Sequence, residues 1–165
     1  MKEIELTKNK TVLVDDSDFE WLNRFKWFAQ TSKNTYYAAR SMRVNGKCKT
    51  ILMHRVILGL DFGDKREGDH RNVNSLDCQR HNLRICTHAQ NRRSKIKLKG
   101  QYSSKYKGVS LDKQHNKWFA SIMFNYKYYF LGRFKSEEKA ARKYDEKALE
   151  LHGEFAMTNK MLGLL

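Results

Sequence analysis

The sequence has no proline, only three cysteines and no long apolar run. Without proline, turns must rest on Gly, Asn and Asp, and Asn45-Gly46 between two extended-looking runs predicts a tight hairpin. Cys48, Cys78 and Cys86 are odd in number and include no Cys-x-x-Cys pair, which argues against a disulfide framework and a zinc ribbon and leaves plain thiols. No stretch approaches the roughly 18 apolar residues of a membrane-spanning helix, and no apolar segment follows the polar start MKEIELTKNK. A soluble, intracellular chain is expected.

Negative charge is scarce too. Eighteen acidic residues face 33 Lys and Arg, a formal charge of +15 in 165 residues. Such an excess repels itself unless a polyanion neutralises it, so nucleic acid is the natural partner and an acidic membrane surface the competing one. A hydrophobic content of 40% fits a folded chain, and the length allows one ordinary domain or two small modules. The segment SKIKLKGQYSSK, residues 94–105, carries lysines and little that could form a core, and reads as a basic linker. It separates a module over 1–93 from one over 106–165. Residues 1–93 hold 18 basic against 11 acidic side chains and residues 94–165 hold 15 against 7, giving +7 and +8. Both halves are therefore expected to touch the same polyanion.

In the first half, Thr11 to Val14 read as a strand, and Asp15 to Asp18 offer caps for a helix carrying Phe19, Trp21, Leu22 and Phe25. Strands around 35–43 and 47–53 and a helix from His54 through Leu60 follow. In the second half, Lys117 to Phe124 alternate, with Trp118, Ala120, Ile122 and Phe124 on one face and Lys117, Phe119, Ser121 and Met123 on the other. With strands around 106–111 and 127–134 this predicts a three-stranded antiparallel sheet. Ser136-Glu137-Glu138 starts a helix whose stripe of Ala140, Ala141, Tyr144, Ala148 and Leu151 packs on the Trp118 face before Gly153 stops it. Trp118 and Leu131 are expected in that core.

The densest polar chemistry lies in EGDHRNVNSLDCQRHNLRICTHAQNRR, residues 67–93. Adjacent side chains on a strand diverge, so Asp69 can hold a hard cation on one side while His70 acts as a base on the other, as in-line attack on a phosphodiester requires. Thr87 and Gln90 form a capping-box pattern that starts a helix and places Asn91, a second oxygen ligand, in its first turns. Asn82 is suited to bridging backbone groups of the loop after His70. Arg84, Arg92 and Arg93 are positioned to neutralise flanking phosphates, or to form a solvated face. His54 is a site-facing or a structural histidine, His88 an additional ligand or a polar contact, and His81 and His152 are surface residues.

This segment resembles the HNH endonucleases of phage and intron homing enzymes, and MHRVILGL before it resembles the helix that introduces the motif. Asn82 and Asn91 follow His70 by twelve and 21 residues, as in the phage branch of that family. The resemblance implies a strand-strand-helix (ββα-metal) module with His70 as general base, Asp69 and Asn91 as ligands of one divalent cation, Mg2+ or Mn2+, and Asn82 as organiser of the loop. Val73 departs from the pattern, since many relatives carry Gly there.

Residues 106–159 resemble the plant ethylene-response-factor (Apetala-type) DNA-binding domain through Tyr106-Lys107-Gly108-Val109, Lys117-Trp118, Phe130-Leu131-Gly132, the helix start at Ser136, Tyr144-Asp145, Gly153 and Asn159. The resemblance implies that the sheet enters the major groove, with Lys107, Ser110, Lys117, Phe119, Ser121, Met123, Tyr128 and Phe130 facing DNA. Ser110 and Met123 stand where the plant pattern has Arg, and Ser121 where it has Glu. The expectation is an α+β, monomeric, single-metal DNA endonuclease of the homing type, nicking or cutting both strands of duplex DNA without a membrane partner, in a phage or bacterial cytoplasm. A DNA-binding regulator on an inactive nuclease scaffold is the alternative, and a general RNA-binding accessory protein a further one.

Overall fold

Hairpins and short helices dominate the computed structural model, which describes residues 1–32, 35–96 and 100–165. Its contacts divide the chain into two units, Met1–Asn91 and Arg92–Leu165. The architecture is α+β, and every sheet is antiparallel.

The first unit opens with the hairpin β1 (Lys2–Leu6) and β2 (Lys10–Val14), followed by α1 (Asp16–Leu22). Alternation along the hairpin buries Ile4, Leu6, Val12 and Val14. Helix α1 stops before Phe25, which stays exposed and lies against Arg40. The Asp15 carboxylate makes no cap bond to the helix; it accepts the backbone N–H of Arg80 at 2.7 Å. The meander β3 (Phe28–Ser32), β4 (Thr35–Val44) and β5 (Lys47–Leu52) turns between β4 and β5 at Asn45-Gly46, both at positive φ (50° and 73°). This is the double left-handed geometry that an Asn-Gly hairpin supplies without strain. Helix α2 (Met53–Ile57) is shorter than the expected 54–60, because Gly59 at φ 65° ends it. Met53, Ile57, Leu22, Trp27, Cys78 and Leu83 close the core.

A two-stranded ribbon, β6 (Glu67–His70) and β7 (Leu83–Cys86), then leads into α3 (His88–Arg93). The chain between the two strands is tied to β2, where Leu13 N–H donates to Leu76 O and Cys78 N–H donates to Leu13 O, both at 2.8 Å.

The second unit is the sheet β8 (Val109–Asp112), β9 (Lys117–Phe124) and β10 (Lys127–Phe134), in the order β10-β9-β8, backed by α4 (Glu137–His152). Ser136 caps α4 by accepting the Lys139 N–H. The stripe Ala140, Ala141, Tyr144 and Ala148 meets Val109, Ala120 and Ile122. Small alanines let the helix lie close to the sheet. Trp118 and Leu131, expected in this core, are only half-buried at its rim, since Ala120 and Ile122 occupy the middle columns. His152, expected at the surface, is half-buried with its ring 5.5 Å from that of Phe124. Gly108 has φ 75°, and a Cβ there would fall 1.9 Å from Cδ2 of Tyr144.

Asn159 is fully buried and acts as a lock. Its Oδ1 accepts Lys107 N–H at 2.7 Å, and its Nδ2 donates to Asp145 Oδ1 at 2.8 Å. Of the segment read as a linker, Ser94 and Ser104 are buried, and residues 97–99 lie outside the described residues.

Candidate functional site

The alternation of β6 sorts the polar segment onto two faces. Glu67 and Asp69 point to one side, and Gly68 and His70 to the other. On the first side Asp69 lies directly opposite Arg84. Arg84 donates Nε and Nη2 to Oδ2 of Asp69 at 2.9 and 2.7 Å, and both residues are buried. Arg84, expected as a phosphate clamp, is thus held as the internal partner of the expected metal ligand: a guanidinium fork fits a carboxylate, and burial strengthens the pair.

Two residues earlier, Glu67 grips α3. Its Oε1 is 2.7 Å from His88 Nδ1, and its Oε2 accepts Nδ2 of Asn91. The helix begins with a reciprocal capping box, in which Thr87 N–H donates to Gln90 Oε1 at 2.8 Å and Gln90 N–H donates to Thr87 Oγ1 at 3.2 Å. Asn91 therefore presents its amide nitrogen to Glu67, which turns Oδ1 the other way. Sequence reasoning passed over Glu67; the available signal was an acidic residue two positions before Asp69, hence on its face.

On the opposite side His70 packs edge-on against His54, ring centroids 4.8 Å apart, with Tyr37 at 5.7 Å from His54 and 6.2 Å from His70. Gly68 makes room for this, since a Cβ there would meet His54 Cδ2 at 2.6 Å. His70 is 6% exposed. Burial pushes its imidazole down to about 4 and that of His54 down to about 3, so both are neutral at pH 7. Nε2 of His70 faces Cys78 Sγ at 3.9 Å. Burial pushes the Cys78 thiol up to about 12 and the Cys86 thiol up to about 11, which leaves both protonated and unreactive.

Asn82 organises the loop between the strands. Its Oδ1 accepts Asn72 N–H at 2.9 Å, and its Nδ2 donates to the Asp77 carbonyl at 2.7 Å. Asn72 donates to Asp77 Oδ2, Asn74 N–H donates to Asn72 Oδ1, and Leu76 N–H donates to Asn74 Oδ1. Much of the polar density of residues 67–93 is therefore the loop's own hydrogen bonding. Within it Val73 sits at φ 58°, a conformation costly for a β-branched residue.

An Asp carboxylate and an Asn amide each carry oxygens of the class that a hard cation takes. Two donors of Arg84 end on Oδ2 of Asp69, and Asn91 turns its Nδ2 to Glu67. Among the described residues no group of three or more His, Cys, Asp and Glu is arranged to hold a metal ion.

In the second unit the outward face of the sheet carries Lys117, Phe119, Ser121 and Met123 from β9 and Tyr128 and Phe130 from β10, with Met123 opposite Tyr128 and Ser121 opposite Phe130. Ser110, opposite Phe119, joins them from β8. Lys107 does not present its ammonium there. Its Nζ donates to the carbonyls of Arg93 and Lys95 at 2.9 and 2.7 Å, and burial lowers it to about 8. Arg93 is also engaged within this unit, with Nη2 on Asn125 Oδ1 at 2.9 Å and its guanidinium over the Phe124 ring, whereas Arg92 is exposed.

The two units define a class: an α+β protein that pairs a strand-strand-helix polar site with a three-stranded sheet on one helix. Residues 104–154 match the AP2 domain. The chain is 30% identical over 147 residues to the uncharacterized HNH endonuclease L560 of Acanthamoeba polyphaga mimivirus, covering 87% of this chain and 75% of that one. It therefore belongs to the same family as that viral HNH endonuclease and carries an AP2 domain within it. Over 58 residues the chain is also 41% identical to the ethylene-responsive transcription factor WRI1 of Arabidopsis thaliana, covering 34% of this chain and 14% of that one. It is 44% identical over 59 residues to an AP2/ERF and B3 domain-containing protein of Oryza sativa subsp. japonica, covering 36% and 16%. The chain thus spans only a small part of the plant relatives and three quarters of the viral one. Among the described residues no helix is long and apolar enough to cross a membrane.

Proposed function

We propose that this chain binds duplex DNA in a sequence-dependent way through its AP2 domain and hydrolyses a phosphodiester of the bound duplex with its first unit. The observation that carries the binding reading is the AP2 match over residues 104–154 in a chain of charge +15. Support for cutting comes from Asp69, His70, Asn82 and Asn91 at their spacing and from the kinship with the viral protein.

In this reading His70 is the general base. With Nε2 turned toward Cys78, Nδ1 is the nitrogen that takes a proton from the attacking water. The depressed pKa keeps the ring unprotonated at neutral pH, which is the form a base requires. Asp69 and Asn91 would hold one divalent cation, Mg2+ or Mn2+, which when bound supplies Lewis-acid stabilisation of the leaving oxygen. Glu67 fixes the amide of Asn91, Arg84 fixes the carboxylate of Asp69, and Asn82 holds the loop that carries the chain away from His70.

Two observations favour a second reading, a DNA-binding regulator with an inert first unit. The buried Arg84 already neutralises Asp69, and His70 is nearly closed from solvent. A supercoiled-plasmid assay with Mg2+ or Mn2+ separates the two. Cutting by the parent chain and its loss in His70→Ala, with duplex binding retained, supports the nuclease. Binding without any nick under either cation supports the regulator. Preference for structured RNA over duplex DNA at matched salt would remove both.

A further inference from the structure

The outward face of the AP2 sheet is unusually apolar for a surface in a chain of this charge. Met123 is 64% exposed, Tyr128 56% and Phe130 50%, and they are neighbours on one face, because Met123 pairs with Tyr128 and Phe130 lies two residues along the same strand opposite Ser121. Large apolar side chains grouped on an open sheet face mark an interaction surface. The charge of +8 over residues 94–165 selects a polyanion as its occupant.

Met123, Tyr128 and Phe130 themselves carry no bidentate donor or acceptor for a base edge. Arg133, beside them, is tethered through Nε to Asp112 Oδ2 at 2.7 Å with its guanidinium over the Phe130 ring. Beside the patch stands the short hydroxyl side chain of Ser121. In the major groove the thymine 5-methyl is the apolar feature among the base edges, and apolar side chains contact it favourably.

We propose that Met123, Tyr128 and Phe130 read thymine methyl groups in the major groove, so that this patch of the AP2 sheet selects sites by their methyl pattern. This rests on the reading that the sheet binds duplex DNA. Burying one methyl is worth about fourfold in affinity, so a site with two contacted thymines discriminates by roughly fifteenfold.

The test begins with selection of duplexes bound by the full chain from a random pool. The selected duplex is then remade with deoxyuridine for thymine, which removes the methyl and leaves base pairing intact. The expected results are thymine at fixed positions of the selected site and a loss of at least fourfold on the uridine duplex. In Met123→Ala and Phe130→Ala the ratio between the two duplexes should fall toward one, with folding checked by circular dichroism. Equal affinity for both duplexes overturns the inference while leaving DNA binding intact. Failure to bind any duplex overturns the binding reading and this inference with it. A DNA-free dimer that Met123→Asp dissociates assigns the patch to a second copy of the chain and also overturns it.

Discussion

Arg84 and Asp69 stand directly opposite one another across β6 and β7, and two donors of the guanidinium converge on a single carboxylate oxygen at 2.7 and 2.9 Å. Side-chain exposure is 6% for Arg84 and 10% for Asp69, so the pair is screened from water. Removing one member of such a pair strands a buried charge. Arg84→Ala should destabilise the chain by about 3–5 kcal/mol, measured as a lowered urea midpoint at unchanged slope. A loss below 0.5 kcal/mol would show that the pair is dispensable.

Val73 holds φ 58° in the loop that Asn82 organises. A β-branched side chain in the left-handed region carries roughly 1–2 kcal/mol of strain, which glycine relieves at some cost in chain entropy. Val73→Gly should raise the unfolding midpoint, by about 1 kcal/mol or somewhat less. A lowered midpoint would mean that the half-exposed valine side chain contributes more than its backbone costs.

Gly108 is irreplaceable by the same logic with a stronger term. Its φ is 75°, and a Cβ would collide with Tyr144, which is buried between α4 and the sheet. Gly108→Ala should cost about 3 kcal/mol or more, seen as loss of the cooperative transition of the second unit. A fold unchanged by amide chemical shifts would exclude that packing.

Acid should destabilise the first unit in a definite window. His54 and His70 have folded pKa values of about 3 and about 4, against 6.5 when unfolded. A depressed histidine pKa means that the unfolded chain takes the proton first. Stability is therefore full above pH 6.5 and falls as the pH drops toward 4, by up to about 2.7 kcal/mol per pH unit for two such groups. His54→Phe should roughly halve that slope. Carboxylates held down by partners, such as Asp18 beside Arg80, lose their contribution only as the pH falls below their ordinary value of 3.8. Stability that stays flat from pH 6.5 to 4.5 would contradict the burial of both rings.

Much of the local structure was legible because its causes lie close together in the chain. Strict alternation from Lys117 to Phe124 marks β9 end to end, Asn45-Gly46 marks the β4–β5 turn, Thr87 and Gln90 mark a reciprocal cap, and Ser136 marks the start of α4. Helix lengths were less legible. α1 ends before Phe25, and α2 ends before Leu58 with Gly59 at φ 65° closing it, although the apolar spacing runs on past both ends.

The sequence by itself determined the charge, the reliance on Asn and Gly for turns, and the spacing of Asp69, His70, Asn82 and Asn91, since these depend only on residue type and order. Only the tertiary structure decided what each of those groups faces. Arg84 reaches Asp69 across a ribbon of 15 residues' separation, Glu67 grips Asn91 over 24, and His54 meets His70 because Gly68 leaves space for its ring. Lys107, read as facing DNA, instead turns its ammonium to two backbone carbonyls. Such choices depend on which partners the completed fold brings within about 3 Å, and no local pattern encodes that distance.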